Sequence, residues 1–201
     1  MLRQQFGDKI DRAEVSCGDT IVYVRKSVLI AVMRWLKESP DQDYQYLADI
    51  TAVEYRDGER PLEIVYELFS LQKLTQLRVK VELDKARALA LPSVVSLWKG
   101  ANWLEREVYD MFGVQFENHP DLRRILMWET YAEGHPLRKD FPLRGRFSRS
   151  EQVRQALNAN PEAHYSMEEL SIAEAYVDLP PEMRDRLARG ERGRIPDPGD
   201  E

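Results

Sequence analysis

The residues best placed to do chemistry lie in one run, Asn102-Trp103-Leu104-Glu105-Arg106-Glu107-Val108-Tyr109-Asp110-Met111-Phe112-Gly113. On a helix, Leu104, Val108, Met111 and Phe112 share one face, and Trp103, Glu107 and Asp110 form the adjoining stripe. Two carboxylates three residues apart could ligate a metal or work as an acid–base pair. A di-iron helix wants Glu-x-x-His, whereas this run offers Glu-x-x-Asp with no histidine at helical spacing. The favoured reading is structural. Glu107 and Asp110 adjoin an apolar stripe, so both are expected to be partly buried and paired with arginine, or to cap backbone N–H groups.

Two further blocks concentrate polar chemistry. In His119-Pro120-Asp121-Leu122-Arg123-Arg124 a His–Asp pair is conceivable, but no strained Gly-x-Ser-x-Gly nucleophile accompanies it. Asp121 instead reads as the cap of a short helix. In Gly134-His135-Pro136-Leu137-Arg138-Lys139-Asp140-Phe141-Pro142-Leu143 the prolines keep the chain extended. From Pro136 to Arg149 five basic residues face one acidic one, within a chain whose net charge is −6. Concentrated charge interleaved with Phe141, Pro142 and Leu143 resembles an interface strip more than a solvated face. Neither a P-loop nor a Gly-x-Gly-x-x-Gly turn is present. The single cysteine, Cys17, excludes an internal disulfide and an iron–sulfur cluster held by this chain's thiolates alone. Three dispersed histidines, His119, His135 and His164, suggest no zinc site.

The elements that must position these blocks follow from periodicity. Thr20–Val24 reads as a strand, and Ser27 as the cap of an apolar helix over 28–37 with Val28, Val32, Trp35 and Leu36 near one face. Residues 44–55, 62–69 and 77–83 read as strands joined by turns. The last alternates strictly, one face apolar and one charged. Ser93 is expected to cap a helix over 94–98, and Asn102 with Glu105 to form a capping box for the next, which Gly113 ends. The fold class expected is α+β: a mixed, mostly antiparallel sheet covered by helices on one side, followed by an extended C-terminal docking arm and short helices. The divisions are 1–116 for the domain, 117–149 for the arm, and 150–201 for short helices and a disordered tail. Residues 117–149 lack periodicity, which suits an arm lying on another protein.

Composition narrows the function classes. Hydrophobic residues make up 43% of the 201, enough for a core, and the acidic balance argues against nucleic acid. No stretch has the length and apolarity of a membrane helix, and the N-terminus has no signal-peptide core. A cytosolic protein is expected, meeting a membrane only through a partner.

Taken together, three blocks closely resemble the signature of the 30-kilodalton (C) subunit family of NADH–quinone oxidoreductase, respiratory complex I. They are Glu105 to Gly113, His119 to Leu126 and Gly134 to Leu143. Tyr46 to Val53, Tyr66 to Ser70 and Ser93 to Trp103 match as well, so the likeness spans roughly 20–143. After Leu143 the sequence departs from the Gly-Tyr and acidic-Arg-Tyr-Asp stretches of many members, reading Arg144-Gly145-Arg146-Phe147 instead.

The resemblance implies a non-catalytic scaffold subunit of the cytoplasmic arm of a proton-translocating NADH–quinone oxidoreductase. It implies no catalytic, cofactor-binding or metal-binding residue on this chain; NADH, FMN, iron–sulfur clusters and quinone belong to other subunits. It implies contact with the D and B subunits, which frame the quinone site and terminal cluster, and with the I subunit. It places the chain peripherally on the cytoplasmic face of the bacterial inner membrane. The signature and assembly positions are then Glu105, Arg106, Glu107, Asp110, His119, Pro120, Arg123, His135, Pro136, Arg138, Lys139 and Asp140. Two other readings remain: the equivalent subunit of a related membrane-bound hydrogenase or of a complex with another electron donor, and a stand-alone enzyme using Glu107, Asp110 and a histidine. Anaerobic reconstitution of the purified chain with iron and sulfide is expected to leave it colourless; a stoichiometric charge-transfer band would show that the chain itself holds a cluster.

Overall fold

A computed structural model of the chain describes residues 2–56, 59–143 and 145–159. It divides into two compact units, Met1–Gln152 and Val153–Glu201. The short helices and disordered tail expected over 150–201 lie, beyond residue 159, outside the described residues.

Seven strands and four α-helices are described: α1 (Leu2–Phe6), β1 (Ile10–Ser16), β2 (Asp19–Val24), α2 (Leu29–Glu38), β3 (Tyr46–Val53), β4 (Leu62–Ser70), β5 (Thr75–Leu83), β6 (Ala90–Pro92), α3 (Ala101–Phe112), β7 (Gln115–Glu117) and α4 (Arg149–Ala159). Five strands form one sheet in the order β1-β2-β5-β4-β3, with β2 and β5 parallel and every other pair antiparallel. The mixed, mostly antiparallel sheet expected from the sequence is therefore present. Strands β6 and β7 make a separate parallel pair.

Strand β1 has no counterpart among the expected strands, because its seven residues are exposed apart from Ile10 and show little apolar alternation. Its signal is the turn. Cys17 and Gly18 both take positive φ, 52° and 92°, while Ser16 pairs with Asp19. Two positive-φ residues between paired strands make the hairpin turn whose twist matches the sheet.

The core lies on one face of the sheet. Leu29, Val32, Met33 and Leu36 of α2 fall at i, i+3, i+4 and i+7 and are buried against Leu62, Ile64, Tyr66 and Leu68 of β4 and Val79 and Val81 of β5. Val108, Met111 and Phe112 of α3 join the same cluster. Val28 and Trp35, expected on the buried stripe of α2, are only partly buried. Ser27 does not cap this helix; it sits in a 3₁₀ turn, Lys26–Val28, and the helix starts after it without a side-chain cap.

On the opposite face, long side chains replace an apolar cover. Glu63 on β4 accepts from Lys80 of β5 at 2.8 Å and from the Tyr55 hydroxyl at 3.1 Å. Arg78 pairs with Glu67 and, at 3.2 Å, with Asp19. The guanidinium of Arg12 lies 3.5 Å from the centre of the Tyr23 ring. This is the charged side of the alternation read in 77–83. Aliphatic stems and aromatic rings shield the strands while the charged heads pair above them.

The helix expected over 94–98 is a single turn instead, with the N–H groups of Leu97 and Trp98 both donating to the Val94 carbonyl. Helix α3 begins at Ala101, so Asn102 is inside it and caps nothing. Glu105 does not reach back to a cap, because its carboxylate is used by the preceding turn. At the other end Gly113 takes φ 80° and closes the helix. A Cβ there would stand 2.6 Å from the His135 ring, so glycine is required by close approach as well as by backbone conformation.

Candidate functional site

The signature blocks converge on α3. An α-helix leaves its last four carbonyls without intrahelical donors. Here residues distant in sequence supply donors to two of them. The Asp110 carbonyl accepts from His135 Nδ1 at 2.9 Å and from Arg124 Nη1 at 3.3 Å, and the Met111 carbonyl accepts from the Leu137 N–H at 3.0 Å. The His135 ring also meets Tyr109 edge to face. The His135-Pro136-Leu137 block is thus the C-terminal cap of the Glu105–Gly113 helix.

The side chain of Asp110 is fully buried. Its Oδ1 accepts from Arg124 at 2.6 Å, and its Oδ2 from the N–H groups of Ile125, Leu126 and Met127 at 3.1, 2.8 and 2.8 Å. Burial alone would raise its pKa; the Met127 N–H, the Arg124 guanidinium and the other two N–H groups outweigh that and hold it below the usual value. Arg124 also donates to the Gly134 carbonyl at 3.1 Å and faces the Tyr131 ring. Arg106 stacks near Trp103 and donates to the carbonyls of Arg123 and Arg124 at 3.1 and 2.9 Å.

At the start of the helix Glu105 is fully buried too. It accepts from the Ser93 hydroxyl and the Val94 N–H, both at 2.7 Å. Burial pushes its pKa up to about 7, against those two hydrogen bonds. The imidazole of His119 lies 3.9 Å away with its side chain wholly inaccessible. The Asp121 N–H donates to Nδ1 at 3.0 Å, so the proton is on Nε2, which donates to the Asn102 carbonyl at 3.2 Å.

The structure places the remaining expected site residues as follows. Arg138 lies 3.5 Å from Glu54 and 3.6 Å from Asp140, and the Lys139 N–H donates to Glu54 at 2.8 Å. Arg123 pairs with Asp121 on the surface at 2.8 Å, and Pro120 is exposed. Two expectations need correction. Glu107 is exposed, with no side-chain hydrogen bond or ion pair to the described residues. Residues 123–137 cover the side of α3 that holds Arg106 and Asp110, so the helix turns Glu107 outward. Asp121 caps no helix, and only its backbone, not its carboxylate, meets His119. Glu107 and Asp110 therefore do not act on a common ligand, and no catalytic dyad forms at His119. Among the described residues no group of three or more His, Cys, Asp and Glu could hold a metal ion.

Sequence reasoning missed Ser93, Glu54 and Arg124 as partners. Arg123 and Arg124 were both visible as basic residues that an acidic helix could pair with, and only the fold selects Arg124. The backbone donors of 125–127 carry no sequence signal at all.

Residues 22–147 match the family described as the respiratory-chain NADH dehydrogenase 30 Kd subunit. The chain belongs to that family. It is 40% identical to the C subunit of NADH-quinone oxidoreductase from Geotalea uraniireducens over 144 residues, covering 72% of this chain and 85% of that one. It is 42% identical to the Brucella ovis protein of the same name, covering 72% and 70%. It is 44% identical to NADH-ubiquinone oxidoreductase subunit 9 of Reclinomonas americana, covering 72% and 69%. Among solved structures it resembles a trypsin-resistant fragment of Nqo5, with a TM-score of 0.52 and 32% identity over 60% of this chain and 96% of that chain. It also resembles a chain of the membrane-bound sulfane sulfur reductase, an archaeal respiratory membrane complex. That likeness has a TM-score of 0.58 and 26% identity, over 71% and 82% of the two chains. The three signature blocks that carry the family resemblance are thus the ones the fold binds together at α3.

Asp110→Ala strands Arg124 and three backbone donors, so it should destabilise the chain by about 3 to 5 kcal/mol, with Asp110→Asn costing less; denaturant unfolding measures both. Glu105 has a folded pKa above its unfolded value, so its stabilising share is complete below about 4.5 and is lost as pH rises through about 7. Asp110 acts oppositely, losing its share only at acid pH. Unfolding free energies across pH 4.5 to 7 should fall for the natural chain and fall less for Glu105→Gln; equal slopes would refute the assignment.

Proposed function

We propose that this chain is a non-catalytic scaffold subunit of the cytoplasmic arm of a proton-translocating NADH–quinone oxidoreductase. In that role it is held peripherally on the cytoplasmic face of the membrane. It supports the subunits that carry the quinone site and the terminal iron–sulfur cluster, with the D, B and I subunits as its neighbours. NADH, FMN, the clusters and quinone lie on those other subunits.

One observation supports this reading above the rest. The polar groups of the signature that lie deepest, Glu105, Arg106, Asp110 and His119, bind the chain's own backbone and side chains. Groups engaged in this way stiffen a surface rather than meet a substrate. No helix among the described residues is long and apolar enough to cross a membrane, which accords with attachment through other subunits.

A second reading has its own support. The likeness to a chain of the sulfane sulfur reductase, an archaeal respiratory membrane complex, keeps the alternative open: the equivalent subunit of a related membrane-bound hydrogenase or of a complex with another electron donor. A tagged full-length chain, purified with its complex from membranes, separates the two: NADH-dependent quinone reduction is expected, and activity only with a different donor or acceptor would favour the alternative.

The scaffold role makes its own prediction for Asp110→Asn. The amount of assembled complex should drop while turnover per assembled complex stays near that of the natural protein. Full assembly with a large loss of turnover would contradict a scaffold.

A further inference from the structure

An open groove of about 610 Å³ runs beside residues 136–143, starting at the Pro136-Leu137 segment that caps α3. Its cationic lining is Arg56, Arg138 and Lys139, and its apolar lining includes Leu137, Phe141 and Leu143; no acidic residue lines it among the described residues. Leu143 is fully exposed and Leu137 is half exposed. Pro136 and Pro142 stiffen the two ends of the wall, so little entropy remains to be lost there on binding. Arg138 is only loosely neutralised. Its Nε stands 3.5 Å from Glu54 and 3.6 Å from Asp140, and its Nη1 is buried without a hydrogen-bond partner.

We propose that this groove receives an acidic segment of a neighbouring protein subunit, its carboxylates facing Arg56, Arg138 and Lys139 and an apolar side chain lying on Leu137 and Leu143. The proposal rests on the reading of the chain as a subunit and adds the chemistry of its partner. Charge selects the occupant: Arg56 and Lys139, with Arg138 only loosely paired to Glu54 and Asp140 and no carboxylate among the described lining residues, favour an anionic partner and reject a basic one. A second copy of this chain would bring the same three cations together across a two-fold axis. An anionic lipid surface would satisfy the charges but is flat, whereas the groove is concave with a leucine at its rim.

The test uses the full-length tagged chain in cells that assemble the complex. A photo-crosslinking amino acid replaces Leu143, with a control at Leu74, which is also exposed, in the β4–β5 turn. After irradiation the complex is purified and the adduct sequenced by mass spectrometry. The expected adduct from position 143 is a peptide of another subunit with more Asp and Glu than Lys and Arg, absent from position 74. An adduct to a second copy, to lipid or to a basic peptide, or none in an intact complex, overturns the proposal. In parallel, Arg56→Glu with Lys139→Glu should lower the yield of co-purified partner on the order of tenfold, with unchanged circular dichroism. Changing the crosslinked carboxylates of the partner to lysine should restore it. Recovery of the complex at full yield despite both reversals sinks the groove alone, whereas a natural chain that brings down no other subunit sinks the subunit reading beneath it.

Discussion

The arrangement depends on one buried carboxylate. Asp110 receives four donors, three of them consecutive backbone N–H groups and the fourth a guanidinium. An isolated charge at that depth would be prohibitive, and four donors make it tolerable. Each donor is fixed in turn. Arg124 is held by the Gly134 carbonyl and the Tyr131 ring, and the backbone before it by Arg106. A segment with almost no helix or strand of its own thereby gains a defined path along α3. The same aspartate also offers its backbone carbonyl to His135, so one residue anchors both the second and the third signature blocks.

Two carboxylates five residues apart on α3 have opposite electrostatic fates. Asp110 has enough donors to stay charged, and its pKa falls. Glu105 has two, and burial wins. The difference lies in what surrounds them rather than in their chemistry as acids. Glu105 ties the 93–98 turn to the helix start, and Asp110 ties the 124–127 bend to its end. Together they fix the position of α3 relative to chain on both sides of it. The apolar stripe of Val108, Met111 and Phe112 then fixes it against the sheet. Specificity of register is the use for which buried polar groups are best attested, and the geometry here fits it.

Much of the fold was legible because apolar periodicity is local. The alternation in 77–83 and the apolar run over 28–37 each identify an element without reference to any other, although the stripe read on that helix, Val28, Val32, Trp35 and Leu36, is not the set that is buried. Strand β1 was not legible, since its exposed residues show little apolar alternation and its turn uses Cys17-Gly18 rather than Asn-Gly. The caps assigned to Ser27, Asn102 and Asp121 failed because the helix boundaries lie elsewhere: α2 begins after a 3₁₀ turn, α3 begins one residue before Asn102, and no helix starts at Asp121.

The site divides in the same way. By itself the sequence determined the family, through three blocks at fixed spacing, and determined that one cysteine and scattered histidines would supply few ligands. It also determined that one face of α3 is apolar. Only the tertiary structure decided which polar residues go inside. Glu107 was expected in and is out; Glu105 and Arg106 are buried beside Asp110. Helical spacing gives directions around an axis, but burial depends on what lies across from each direction. For α3 that neighbour is a segment whose donors are backbone N–H groups, identical at every residue type but proline, and so invisible until the chain is folded.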